Sequence, residues 1–386
     1  MSATAEAIPG SRLGRLLAQR YIPPFKHELP GNMAAMLSNE RLLQKLQENC
    51  KLLKRWLWLN VNLQSRLLRD RLPPPPARLL WLSPSGNSIG DSVMELAGRV
   101  LLGAYEVDLL TDKFYAELYS HDRYLRRVFT DPRAIDPSRY DFALQDFFNT
   151  RSIRLKCRLC PRLPFATMQG FFWGADYNRI LFSYYRINHL LGYPHTEDEL
   201  RPLLRSHLFL EDEPSPSPRE RGRKRVVMVL GGAHAARTYR QWPDVIRCLI
   251  VAWLPGQAFP DFILVGSRNG LAFAEPVMAA FGPGKAQSFI GALSLRATAR
   301  LISDCDFFLG PDGGLMHCAV SLDVPGVALF ARSRPDLLLP PRTDMQPIYD
   351  PTSVNNTPPQ AVAEAVRSRW AALAMAGALP RDVVEI

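Results

Sequence analysis

Three short turns hold the residues of this 386-residue chain whose types and spacing suit chemistry. In "GPDGGLMH", Gly310 to His317, an apolar run ends at an acid and two glycines, and a helical pattern follows. Glycines at Gly313 and Gly314 let a backbone approach a ligand closely and take dihedrals that other residues avoid. A helix that starts there presents unpaired N–H groups and the positive end of its dipole, which suits a phosphate or diphosphate. Asp312 would repel a phosphate at close range, so its fitting roles are to cap the helix or to meet a hydroxyl. Taken alone, Asp-Gly-Gly is also an ordinary tight turn.

The second turn, "SPSGNSIGDSVMEL", follows an apolar run and carries Ser88, Gly90 and Asp91 where a helix begins. Asp91 can cap that helix, or its carboxylate can act as a general base. The third, "VLGGAHAARTYRQWPDV", brings Gly231, Gly232 and Arg240 to a similar junction. An arginine there can neutralise a departing diphosphate, or it can be one more solvated cation in a chain with 47 Lys and Arg. His234 and His317 lie nearest these turns, and packing or hydrogen bonding is the ordinary role of a single histidine at a helix start.

These turns need elements to hold them. From Arg78, strand-like runs ("RLLWLS", "EVDLLTD", "RRVFTD", "YDFALQDF") alternate with helical patterns ("SVMELAGRVLLGA", "KFYAELYSHDRYL"). Such alternation predicts an α/β fold with a parallel sheet covered on both faces. Residues 150–200 are aromatic and basic and show no clear period. "EDEPSPSPRERGRKR", Glu211 to Arg225, cannot bury apolar surface and reads as a linker. A second alternation follows, through "VVMVL", a helix near Pro243, "FILVG", "GLAFAEPVMAAF", "QSFIG", "LRATARLISDC", "DFFLG" and "GVALF", with a last helix in "PQAVAEAVRSRWAALAMAG". The expectation is two doubly wound lobes, with ligands at the carboxyl ends of the strands in the cleft between them. One such turn per lobe would set a carboxylate opposite a phosphate site, the arrangement a group-transfer enzyme needs.

The N-terminal 76 residues are rich in Leu, Arg and Lys and end at "PPPP". Leu46, Cys50, Leu53, Leu57, Val61 and Leu68 keep one helical face, with Lys51, Lys54, Arg55, Arg66 and Arg69 off it. A basic amphipathic helix of this kind lies on an anionic membrane surface, or packs its stripe on the protein's own body or on a second subunit, which leaves a homo-oligomer open.

With 47% hydrophobic residues and 22% charged, the chain has the composition of a globular protein. The net charge of +10 favours anionic partners: nucleic acid, phospholipid headgroups or phosphorylated substrates. No nucleic-acid-binding module pattern accompanies it, so no nucleic-acid partner is expected. No run approaches the roughly 18 apolar residues of a membrane span, and the N-terminus lacks the pattern of a secretory signal. Of the six cysteines, only Cys157 and Cys160 form a CxxC pair. Without a second pair they read as thiols in a cytosol, with no metal site. No GxGxxG follows a predicted strand, which argues against a dehydrogenase.

In order and spacing, the three turns resemble glycosyltransferase family 9, the ADP-heptose:lipopolysaccharide heptosyltransferases. "SIGD" (Ser88–Asp91) looks like that family's first-strand signature, "RQWP" (Arg240–Pro243) like its basic-x-Trp-Pro element, and Ser294–Phe330 like its Asp-x-Gly-x-x-His block. The resemblance implies a GT-B fold of two Rossmann-like lobes and inverting transfer of a sugar from a nucleotide diphosphate, without a required metal or other cofactor. It implies Asp91 as the catalytic base and Arg240 as the catalytic contact to the diphosphate. Asp312, Gly313, Gly314, His317, Gly231 and Gly232 would form the donor site, and Ser88 and Gly90 the acceptor-side loop. The favoured donor is ADP-heptose, and the acceptor a glycolipid or other glycoconjugate held at the cytosolic face of a membrane. The domains expected are a helical basic extension (1–76), an acceptor lobe (77–210), a linker (211–225), a nucleotide-sugar lobe (226–345) and a C-terminal segment (346–386) whose helix returns to the first lobe. Arg240 stands where the family carries Lys, Gly313 where Thr or Ser is common, and "ARSRPD" where Gly-Pro-Thr is common.

Overall fold

The structure is a computed structural model and describes residues 50, 53–54, 57–83, 88–146, 150–168, 178–210, 214–217, 222–231, 237–256 and 258–375. It divides into two compact units, Met1–Phe209 and Leu210–Ile386.

The first unit is built on β1 (Arg78–Ser83), α1 (Ile89–Glu95), β2 (Glu106–Thr111), α2 (Lys113–Tyr119), β3 (Arg127–Phe129), β4 (Phe142–Gln145), α3 (Thr150–Leu159), β5 (Phe165–Thr167) and α4 (Arg179–Leu191). The strands pair in the order β3-β2-β1-β4-β5, all parallel. After Arg78, every residue of β1 is buried, as a parallel strand covered on both faces requires. Ser83 pairs with Thr111 and Leu82 with Gln145, so the carboxyl ends of β1, β2 and β4 share one edge. The aromatic, basic stretch that shows no period in sequence holds α3, β5 and α4. Asn178 caps α4 by accepting from the amides of Ile180 and Leu181, and Gly192 ends it with φ 98°.

The described part of the N-terminal extension is integral to this unit. Leu59 is fully buried among Leu80, Leu82 and Phe165. Leu68 bridges Phe165 in parallel, with Phe165 N donating to Leu67 O (3.0 Å) and Arg69 N to Phe165 O (2.8 Å). Of the expected stripe, Leu68 packs on the protein's own body, Leu46 lies outside the described residues, and the rest does not pack there. Cys50, Leu53, Leu57 and Val61 are exposed, because Leu59, on the opposite side of the helix, is the residue that enters the core.

The second unit comprises β6 (Arg225–Val229), α5 (Trp242–Val251), β7 (Asp261–Val265), α6 (Leu271–Phe281), β8 (Ala286–Ser288), α7 (Leu295–Ser303), β9 (Phe307–Pro311), α8 (Gly314–Ser321), β10 (Gly326–Ala331), β11 (Met345–Asp350) and α9 (Pro359–Met375). Its six strands run in parallel in the order β11-β10-β9-β6-β7-β8. β11 is absent from the sequence expectation, since only Met345 of its residues is buried and no apolar run marks it. Arg225, expected as the last linker residue, opens β6, and its Nη1 donates to Ser217 O at 2.8 Å. Val362, Ala363 and Val366 of α9 join the second-unit core, and Trp370 lies 5.5 Å from Phe307 and 5.4 Å from Trp253. The described length of this last helix packs on the second unit's core.

Arg99, fully buried, spends its guanidinium inside the first unit. Nε donates to Asp122 Oδ2 (2.8 Å), Nη1 to Leu96 O (2.9 Å) and Nη2 to His207 O (2.8 Å). Asp122→Asn leaves that cation unpaired away from water, and a loss of about 3–5 kcal/mol in urea unfolding is expected. Replacing both partners by apolar residues of matched volume should recover much of it, because the cost lies in the orphaned charge.

Candidate active site

The turn after β9 departs from its sequence reading in two ways. Gly313 has φ 168° and ψ −178°, extended backbone open to any residue, so no special dihedral requires glycine there. Asp312 does not cap α8: Gly313 holds the cap position, with no side-chain hydrogen bond. The first N–H groups of α8 therefore have no side-chain acceptor, and a Cβ on Gly313 would meet nothing within 4 Å. An anion has both the donors and the space.

Asp312 is 3% exposed, and a buried carboxylate needs counter-charge. Arg237 Nη1 lies 3.1 Å from its Oδ2, at ion-pair distance without hydrogen-bond alignment. His317 Nε2 stands 3.7 Å from Oδ1, and the buried His317 Nδ1 has no partner. Arg237 Nη2 also donates to Ser333 Oγ at 2.8 Å. Asp312 N donates to Leu329 O at 2.7 Å. The turns after β6, β9 and β10 are thus drawn together where β6 and β9 lie side by side, the strand-order reversal at which open sheets bind ligands. Arg237 is a residue that sequence reasoning missed.

Of the third turn, Gly232 and His234 fall outside the described residues. A Cβ on Gly231 would lie 2.6 Å from Asn269 Oδ1 and 3.2 Å from Gly270 N, so the Asn269 side chain would have to shift to admit one. Arg240 is exposed, and its backbone is pinned by N–H donation to Asn355 Oδ1 (2.9 Å). Asn355 Nδ2 in turn donates to Thr238 O (2.9 Å). Trp242 anchors the segment from below, donating Nε1 to Leu230 O (3.3 Å) and meeting Tyr239 edge-on at 4.8 Å. A fixed backbone with a free-reaching guanidinium suits contact with an arriving anion.

In the first unit, Ser88 caps α1 by accepting from Asp91 N at 3.0 Å. The capping role left open for Asp91 is thereby filled by another residue. The Asp91 carboxylate, 24% exposed, pairs with Arg179 at the start of α4, and Gly90 beside it is buried. Arg179 was not legible because its helix was not. At the neighbouring end of β4, Asp146 is 1% exposed and accepts from Trp81 Nε1. Burial pushes its carboxyl up to about 6, against the hydrogen bonds from Ser83 and Trp81.

The fold defined by these two units is that of the GT-B heptosyltransferases. Three solved structures carry the likeness: a glycosyl transferase family 9 protein from Veillonella parvula (TM-score 0.64, 11% identity, 79% of this chain and 100% of that one), E. coli ADP-heptose lps heptosyltransferase II (0.58, 19%, 76% and 99%), and E. coli heptosyltransferase WaaC with ADP (0.58, 15%, 76% and 99%). Residues 266–359 match the family model described as Glycosyltransferase family 9 (heptosyltransferase), and this segment contains Asp312, Gly313, Gly314 and His317. The family resemblance drawn from the sequence is thereby borne out. No curated protein sequence matches the chain.

The raised Asp146 carboxyl has a signed consequence. A carboxyl whose folded value lies above its ordinary 3.8 stabilises the fold in its protonated form, and that contribution is lost as pH climbs through about 6. Asp146→Asn mimics the protonated form. It should raise the melting temperature relative to the parent at pH 8, and the gap should close below pH about 4. An equal gap at both pH values would overturn the assignment.

Proposed function

We propose that the chain is an inverting glycosyltransferase that moves a heptose, or a similar sugar, from an ADP-sugar to a lipopolysaccharide-core or related glycoconjugate acceptor. The observation that carries this reading is the uncapped, unobstructed start of α8, which lies with Asp312 inside the segment that matches the family model and has Arg237 paired with that acid. A structurally similar protein is described with ADP, which supports that nucleotide for the donor.

In the proposed reaction the Asp91 carboxylate takes the proton of an acceptor hydroxyl. The freed oxygen attacks the anomeric carbon from the face opposite the diphosphate, the anomeric C–O bond breaks, and configuration inverts. The charge that develops on the leaving ADP is met by the α8 amides and by Arg240. These groups carry the neutralisation in this reading without a metal ion. Asp312 serves a donor hydroxyl, and Arg179 holds the Asp91 carboxylate in orientation. The net charge of +10 and the exposed Leu53, Leu57 and Val61 beside Lys54 suit work at an anionic membrane face. No helix among the described residues is long and apolar enough to cross a membrane.

Two measurements test the reading. In a thermal-shift panel of ADP, UDP, GDP and CMP with their sugars, the ADP ligands should stabilise by about 2.7 kcal/mol at 100 times the dissociation constant, and Asp312→Ala should remove the shift. Another nucleotide in first place would refute the donor assignment. Asp91→Asn should keep the ADP shift while turnover falls roughly 10²–10⁴-fold. Turnover unchanged in Asp91→Asn would remove Asp91 from catalysis, and no turnover in the parent with ADP binding intact would make the chain a donor-binding scaffold.

A further inference from the structure

A cavity of about 810 Å³ lies wholly within the first unit, away from the Asp91–Arg179 pair in sequence and lining. Its walls come from the carboxyl end of β2 and the start of α2, the segment after β3, one face along α3, and the N-terminal extension. Lys54, Lys113, Arg151, Arg154 and Arg158 all face it, over a floor that includes Leu110 and Leu155. None of these five cations forms an ion pair among the described residues. Asp112, the acid in the wall, is engaged in capping α2, accepting from Phe114 N at 2.9 Å. Five like charges around one volume repel one another, an arrangement that an anion relieves.

A second, independent observation points to a ligand. Thr111 is 3% exposed and lines the same cavity, and its Oγ1 has no hydrogen-bond partner. A buried hydroxyl left unpaired is costly, and it can donate to an anionic oxygen. Arg154 is already oriented, its guanidinium lying 4.5 Å above the Trp58 ring. Arginine forks together with lysine point charges suit phosphate oxygens.

We infer that this cavity is a phosphate-binding site that takes a phosphorylated group, a phosphomonoester or diphosphate, and that the N-terminal extension helps to build it by supplying Lys54 and Trp58. Where that group belongs to the acceptor, the assignment rests on the glycosyl-transfer reading. The site itself rests on the charges and the orphaned hydroxyl.

Isothermal titration of the full chain with inorganic pyrophosphate tests it. Arg151→Ala and Arg158→Ala should each lower affinity roughly tenfold, the size of one charge-assisted hydrogen bond. Thr111→Val, nearly isosteric, should weaken binding about three- to tenfold with a melting temperature no lower than the parent's, which guards against loss through misfolding. All three should bind ADP as the parent does, and Asp312→Ala should keep at full strength the pyrophosphate event that they weaken. Absent pyrophosphate binding, or binding indifferent to these substitutions, overturns the site. If the parent fails to bind ADP while the pyrophosphate event behaves as described, the transferase reading falls and the phosphate site stands. Sedimentation with phosphatidic acid vesicles, abolished in Arg151→Ala, assigns the phosphate to a lipid. Pyrophosphate binding without sedimentation assigns it to a soluble ester.

Discussion

A carboxylate buried where a strand ends cannot stand alone, and Asp312 organises the second unit's ligand edge by that need. Water is excluded from it, so its charge must be met by side chains reaching over from neighbouring turns. Arg237 comes from the loop after β6, His317 from the first turns of α8, and Ser333, after β10, holds Arg237 in place. Three loops that would otherwise move independently are tied at one point. The same tie leaves the helix start uncapped by any protein side chain, and this gives the turn its capacity for an anion.

The parallel sheets make such ties available. Every strand delivers its carboxyl end to the same edge, and where strand order reverses, between β1 and β4 or between β6 and β9, the loops splay to opposite faces. Asp91, Asp146 and Trp81 gather at the first reversal, and Gly231, Arg237 and Asp312 at the second. The cavity beside β2 draws on the same edge of the first sheet, one strand further out, with the extension as its outer wall.

Most of this architecture can be read from the chain, because strands covered on both faces are written as unbroken apolar runs. "RLLWLS", "VVMVL", "FILVG" and "GVALF" each became a strand within a residue or so of expectation. Reading failed where burial is polar. The helix α4 hides Ser183, Arg186, Asn188 and His189 on its inner face, and Lys156 of α3 is buried against Gln64, so neither helix shows an apolar period. The extension misled for a related reason: Leu53, Leu57 and Val61 of its tidy stripe are exposed, whereas Leu59, off the stripe, is the residue fully buried in the core. At the site, residue types at turns were legible, whereas partners were not. Nothing in sequence marks Arg237 or Arg179 among the chain's many cations, since what distinguishes them is which carboxylate they reach.

The bridge between Leu68 and Phe165 closes one border of the first sheet. The other border is the three-residue β3, where Arg126 and Arg127 stand exposed, and short, charged edges resist pairing with another chain. Residues 67–69 do for β5 what charge does for β3, by occupying its open amides and carbonyls. A shortened chain that began at the proline run would keep every strand of the sheet, but it would lose Leu59 from the core and strip buried Lys156 of Gln64. It would also present an unpaired flank to its own copies, so a weakened fold and self-association would act together in concentrated solution.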